Sequence, residues 1–338
     1  MSGTLDALSR RIDTTRSLES IVRTMKALST ASIVQYDRAA GTMSRYMRTV
    51  ELGMTAVLRQ HVLPSVPAAA GPLNDGVSDG TPLAGEGDTL GEDTVIDRGT
   101  NRNTEAGGET AARARAAAGT TMAIVFGSDH GFCGNFNERV ASFAAGTAPG
   151  THWHWLCVGA RAAQALGMYG RTAGAMIHLP GTADGLTETC HRILLTIDDW
   201  RTRHRVERIL VFHNRRRADT VEPHRVTLAP HERRWLRDLA RRPWHSRTLP
   251  MFTLPEPRLY AALVREHLFA SLFRSGAESL ASEHAARLAA MHAALNNIED
   301  HLETMNAEYQ RQRQESITAE LLDIVAGYEI LRKRESAA

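Results

Sequence analysis

The chain has 338 residues, 43% of them hydrophobic, and a formal net charge of +2. That length suffices for one large or two smaller domains, and the near-balanced charge gives no bulk argument for nucleic acid. No run of 18 apolar residues occurs, which excludes an apolar membrane-spanning helix, and MSGTLDALSRRIDTTRS has no apolar core, so no signal peptide is expected.

Residues 4–60 read as one long helix, free of Pro, with Gly only at Gly41 and Gly53. Leu5, Leu8 and Ile12 begin an apolar stripe, and Leu18, Ile21, Met25 and Leu28 are expected to continue it. Tyr36, Ala40, Met43, Met47, Val50, Met54 and Val57 follow at alternating steps of four and three, the 3.5-residue period of a coiled-coil seam.

Residues 61–118 break that pattern. The stretch 64–110 is rich in Gly, Pro and Thr and holds nine carboxylates against two arginines. Too few apolar residues are present to offset the entropy of ordering, so a disordered acidic loop is expected.

Residues 119–254 read as a compact α/β domain. TMAIVF, HWLCV and RILVF have the length and composition of buried strands, and helical segments near 134–145, 159–168 and 186–204 alternate with them. That alternation predicts parallel βαβ units. HRVTLAP is a candidate further strand.

Residues 255–338 read as a second long helix opened by Pro255 and Pro257. Leu288, Met291, Leu295, Ile298, Leu302, Met305 and Tyr309 repeat at steps of three and four. The stretch RQRQESITAELLDIVAG, 311–327, then turns polar before apolar residues resume. The expected fold is therefore α/β. The N- and C-terminal helices form a long antiparallel coiled coil, and a Rossmann-like α/β domain is inserted between them.

No chemical constellation is complete. MAIVFGSDHGFCGNF follows a strand, but Gly127, Gly131 and Gly134 match neither dinucleotide nor phosphate-loop spacing, and no Lys stands there. A structural strand-to-helix turn is the simpler reading. Cys133 beside His130 and Asp129 is a poor nucleophile set, since adjacent residues on one turn rarely reach triad geometry. His152 and His154 lack further ligands at a metal-binding spacing. The three cysteines, Cys133, Cys157 and Cys190, show no framework, and a reduced, cytoplasmic chain is expected. Residues 201–247 hold 14 arginines against five carboxylates, without interleaved aromatics of any nucleic-acid-reading module. No catalytic, cofactor or metal residues are expected.

Three blocks carry a family likeness: RIDTTRSLESIVRTMKALSTASI, SDHGFCGNFN, and SLASEHAARLAAMHAALNNIEDHLETMNAEYQRQRQESITAELLDIVAG. With them the chain resembles the gamma subunits of F-type ATP synthases, the central rotor stalk. The resemblance implies that the terminal helices form a coiled coil inside a ring of alpha and beta subunits. It also implies that the α/β domain lies near the epsilon subunit and the membrane-embedded c-ring. It implies no nucleotide site, no membrane insertion, and a peripheral place on the cytoplasmic face of the bacterial plasma membrane. A rotor turning in a ring needs a few polar contacts, expected at one level of the rod. The family's beta-subunit contacts match Met25 and Lys26 on the first helix and Arg313, Gln314 and Thr318 on the second. The chain departs from the family in its longer acidic connection, in His130, Phe132 and Asn135 of the turn, and in Tyr328 and Glu329 after Gly327, which suggests a divergent subtype. The competing reading from residues alone is a coiled-coil scaffold or an RNA-associated protein using the arginine-rich stretch.

Overall fold

The computed structural model describes residues 2–60, 120–148, 153–218, 220–229, 233–244, 246–248 and 250–335. Residues 61–119, where the acidic loop is expected, lie outside these. Helix α1 runs Ser2–Gln60 and the last helix, α6, runs Glu256–Glu335, 59 and 80 residues. At 1.5 Å per residue they are about 88 and 120 Å long. Between them come β1 Thr120–Phe126, α2 Phe136–Thr147, β2 Trp153–Val158, α3 Ala160–Gly167, β3 Ala175–Ile177, α4 Gly185–His204, β4 Val206–Arg217, β5 Thr220–Ala229 and α5 Arg233–Arg241.

The five strands form one sheet in the order β3-β2-β1-β4-β5. Pairs β1–β2, β1–β4 and β2–β3 are parallel; β4–β5 is antiparallel. The expectation of parallel βαβ units therefore covers four strands and needs correction at the fifth. The chain reverses after Arg217 within two residues, too few for a crossover, so only an antiparallel return is possible. Strand β3 and helix α5 were not foreseen: three residues carry no readable period, and α5 is dominated by arginine.

The sheet is covered on both faces, as parallel strands require. Ala123 and Val125 of β1 pack with Val140 and Ala144 of α2 and Ala162 and Leu166 of α3. Met122, Ile124 and Phe126 pack on the other face with Leu186 and Ile193 of α4 and with Leu268, Leu272, Phe273 and Ala277 of α6. Tyr36 and Ala40 of α1 join the same cluster. Segment 267–283 of α6 is thus enclosed by sheet, α4 and α1 together. Its many small residues, Ala270, Ser271, Ser275, Gly276, Ala277, Ser279, Ala281 and Ser282, permit that approach. A Cβ on Gly276 would lie 3.0 Å from Leu186 Cδ1 and 3.2 Å from Phe126 Cε1.

Helices α1 and α6 run antiparallel. Tyr46 Oη donates to Glu266 at 2.7 Å, Tyr36 stacks on His284 at 5.7 Å, and Lys26 Nζ lies 3.2 Å from His292 Nδ1. Continuing that register, the N-terminus of α1 meets α6 near Ser316, and everything beyond is a single helix. There the exposed face closes all round: residues 320–328 are exposed without exception.

The expected stripe of α1 fails at three positions, while Leu5, Leu8, Ile12 and Met25 are buried or half-buried. Leu18, Ile21 and Leu28 are 51%, 57% and 64% exposed. Extending the seam backward from Tyr36 at steps of three and four gives Ile33, Ser29, Lys26, Val22, Glu19, Thr15 and Ile12, and all of these are buried or half-buried. The seam is polar over its middle, so a shorter run of apolar residues one position off imitates it.

Candidate functional site

Three regions could carry function: the glycine turn after β1, the arginine-rich stretch, and the outer surface of the rod.

The turn is built to hold itself together. Gly127 N–H donates to Val158 O and Ser128 N–H to Asn137 Oδ1, each at 2.9 Å. Ala160 N–H, at the start of α3, donates to Asp129 Oδ1 at 2.8 Å, and Leu179 N–H to Asp129 Oδ2 at 2.7 Å. A carboxylate of the chain thus sits where a helix N-terminus would hold an external phosphate. Burial acts against that charge, but the two backbone donors and His178 outweigh it and hold the Asp129 carboxyl below its usual range. Gly159 permits the approach: its φ is +108°, and a Cβ would lie 2.8 Å from Ser128 O. Cys133 is buried against Ser128 and Asn137, and burial pushes its thiol up, the wrong direction for a nucleophile. His154 stacks on His204 at 4.1 Å, while His152 lies outside the described residues. Among the described residues no three His, Cys, Asp or Glu side chains gather as a metal cluster.

Several arginines of the basic stretch are committed to the rod. Arg216 pairs with Asp37 and Arg242 with Glu51 of α1, both at 2.6 Å. Arg215 reaches Glu278 of α6 at 3.8 Å. Glu278 also meets His213 Nε2 at 3.0 Å and Arg274 at 2.9 Å. Burial alone would raise the Glu278 carboxyl, but these partners hold it at about 2. A cavity of about 420 Å³ between β5, α5 and the rod is lined by these same groups, Glu51, His267, Arg274 and Glu278.

The turn is itself tied to the rod. Arg287 of α6 pairs with Glu283 at 2.6 Å and donates from Nε and Nη2 to Gly131 O at 3.4 and 3.3 Å. The pair is enclosed, and burial pushes the Glu283 carboxyl up to about 7 against the pull of Arg287. Sheet, turn and rod are therefore joined by ion pairs on several sides as well as by a shared core.

On the rod's outer surface the five candidate residues fall at two levels. Lys26 and Met25 are half-buried, Lys26 beside His292. Arg313, Gln314 and Thr318 stand some twenty residues further along α6, about 30 Å away. The expectation of one level is corrected: the antiparallel register separates them. Arg313 and Gln314 are exposed and do not interrupt the seam. The seam passes instead through Gln312, Ser316 and Ala319, all half-buried. Neighbouring Arg311 is held at 2.6 Å by both Glu308 and Glu315. Arg313 has no such partner among the described residues, so its charge is available. Thr318 Oγ1 donates to Gln314 O at 2.8 Å.

Apolar residues surround both levels. Leu18, Ile21, Leu28 and Val34 project from α1, and Ile317, Leu321, Leu322, Ile324, Val325 and Tyr328 from α6, the last 67% exposed. Exposed apolar residues gathered along a rod in this way mark a candidate interaction surface. Sequence reading missed the α1 part because it assigned those residues to the seam; the strict period read back from Tyr36 was the signal.

A family model described as ATP synthase matches residues 4–331, nearly the whole chain. The chain belongs to the ATP synthase family. Among ATP synthase proteins, it is 39% identical over 74 residues to the ATP synthase gamma chain of Sulfurovum sp. (strain NBC37-1), covering 22% of this chain and 25% of that one. It is 40% identical over 77 residues to the ATP synthase gamma chain of Helicobacter pylori (strain Shi470), covering 23% and 26%. The alignments thus span about a quarter of the length of these curated relatives. Two chains of the Euglena gracilis mitochondrial ATP synthase share the fold. One, from the rotor in rotational state 1, matches at a TM-score of 0.54 with 14% identity, covering 94% of this chain and 100% of that one. The other, from the OSCP/F1/c-ring assembly in rotational state 3, matches at 0.58 with 16% identity, covering 98% and 95%. The long paired helices and central mixed sheet are thus the architecture of this ATP synthase family.

Proposed function

We propose that this chain is the central-stalk (gamma) subunit of an F-type ATP synthase, coupling ion flow to rotary ATP synthesis or hydrolysis. The observation that carries the reading is the rod. A coiled coil anchored at one end in an α/β domain runs out into a lone helix whose apolar surface needs an enclosing partner. The partners are the alpha and beta subunits around the rod, and the epsilon subunit and c-ring at the α/β domain. The chain sits peripherally, on the cytoplasmic face of the bacterial plasma membrane; among the described residues no helix is long and apolar enough to cross it.

The subunit has no chemistry of its own in this reading. It acts by making different contacts with each beta subunit as it turns, because only differential contacts can bias one site against another. The ion pairs of Arg216, Arg242 and Arg287 across the joint stiffen it for torque. Met25 and Lys26 form one beta contact and Arg313, Gln314 and Thr318 the other. The RNA-associated alternative loses support because Arg215, Arg216 and Arg242 already answer carboxylates of the rod.

Co-purification under mild detergent tests this. The chain is expected to elute with alpha, beta and epsilon subunits and to carry no nucleic acid. Elution without alpha and beta, with RNA released by salt, overturns the reading.

A further inference from the structure

Glu283 and Arg287 of α6 face the turn after β1 and are 4% and 7% exposed. Arg287 Nη2 donates to Glu283 Oε1 at 2.6 Å, a bond within one helix. The same guanidinium crosses to the turn only through long bonds to Gly131 O, at 3.3 and 3.4 Å. The second carboxyl oxygen, Glu283 Oε2, is buried and accepts no hydrogen bond among the described residues. An enclosed carboxylate with one cationic partner and one bare oxygen is poorly compensated for its lost water, and the bare oxygen can seat a proton. Burial accordingly pushes the Glu283 carboxyl up to about 7 against the pull of Arg287, and the nearby charge of Asp129 adds to the rise.

Every element around Glu283 brings ionisable groups, and the other buried ones keep one charge state near neutrality. On α6, burial and Arg287 hold His284 down at about 4, so it stays neutral. On α1, burial raises Tyr36, which stacks on His284, to about 12. In the turn, burial raises the Cys133 thiol. Burial also opposes the charge of Asp129, but the Ala160 and Leu179 N–H groups keep that carboxyl below its usual range. His130 and His178 are exposed. Among the buried groups of the joint, Glu283 alone changes charge near neutral pH. That charge sets how Arg287 divides its hydrogen bonds. The ion pair draws the guanidinium along its own helix, in competition with the tie across to the turn. A neutral carboxyl binds a guanidinium less strongly than a carboxylate does, so a proton on Glu283 leaves more of the guanidinium to Gly131 O.

We infer that Glu283 is a proton-operated latch between the rod and the α/β domain. Protonated, it releases Arg287 to the Gly131 carbonyl and tightens the joint; ionised, it draws Arg287 back along α6 and slackens it. The folded carboxyl holds its proton more tightly than an ordinary one at 4.5. Its contribution to stability is therefore complete below about pH 4.5 and is lost as pH rises toward and through 7. This window lies above the acid window of Glu278, whose carboxyl is held at about 2.

The test uses the full chain with 13C in the glycine carbonyls and 15N in phenylalanine. HGFC holds the only Gly–Phe pair of the sequence, so one filtered NMR signal reports the Gly131 carbonyl. That signal is expected to move downfield, the direction of a stronger hydrogen bond, as pH falls from about 8 to about 5.5, with its midpoint near 7. Glu283→Gln, a partner fixed in the neutral state, should hold it at the low-pH position throughout. Relative to Glu283→Gln, the unfolding constant of the unmodified chain in urea should rise roughly fiftyfold between about pH 5 and about pH 7.5. Movement that persists in Glu283→Gln assigns the titration to His130 or His178 and overturns the inference. So does an upfield shift, or none, in the unmodified chain. Should Glu283→Gln not fold, 13C in the glutamate carboxyls of the unmodified chain decides. One carboxyl titrating with the same midpoint as the Gly131 signal supports the latch, and none above the ordinary range overturns it.

Discussion

Arg287 of α6 donates to the carbonyl of Gly131, in the turn after β1, while pairing with Glu283 one helical turn back. One side chain thus joins the rod to the α/β domain inside a buried joint. Removing one partner of such a pair strands the other charge, whereas removing both does not. Arg287→Met is therefore expected to destabilise the isolated subunit by about 3–5 kcal/mol. Arg287→Met with Glu283→Gln should recover most of that loss. Urea unfolding of the three proteins checks this, and equal losses in single and double variants would remove the argument.

Arg313→Ala with Gln314→Ala should leave thermal unfolding of the isolated subunit nearly unchanged, because both side chains are exposed and outside the seam. In the reconstituted complex the pair is expected to lower ATP turnover by about tenfold, corresponding to about 1.4 kcal/mol of rotational-state-dependent contact. Lys26→Ala should do less, since an exposed lysine pair contributes about 0–1 kcal/mol. Normal turnover in the double variant would show a merely solvated patch.

Leu18→Gln with Ile21→Gln separates seam from surface. Both residues project outward, and Gln is a good helix former, so subunit stability should move by less than about 0.5 kcal/mol. Assembly with alpha and beta subunits should weaken, because each buried side chain contributes about 1.5–3 kcal/mol there. A large loss in the subunit's own melting temperature would instead return these residues to the seam.

Glu278 gives the joint a pH dependence. Burial works against its charge, but His213 and Arg274 hold the folded carboxyl at about 2, below its ordinary 4.5. The folded state therefore binds fewer protons than the unfolded one between these values. Its contribution, on the order of 3 kcal/mol, is complete above about pH 5 and is lost as pH falls toward 2. Stability measured across that window should slope upward with pH, and Glu278→Gln should flatten the slope. An unchanged slope would place the acid sensitivity elsewhere.

Much of this architecture was legible in the residues themselves. The seam from Leu288 to Tyr309 and the strand runs of β1, β2 and β4 are local periodicities or compositions. Local pattern specifies local structure because side-chain direction follows directly from helix and strand geometry. The tertiary structure alone decided which way the middle of α1 faces. Thr15, Glu19, Lys26 and Ser29 look like surface residues until α6 lies against them, and Leu18, Ile21 and Leu28 look like core until it does not. It alone separated Lys26 from Arg313 along the rod, since register between two helices is a property of the pair. It alone divided the arginines into those answered by Asp37, Glu51 and Glu278 and those left to solvent. A carboxylate distant in sequence becomes a partner only when the chain folds to bring it within a few ångströms.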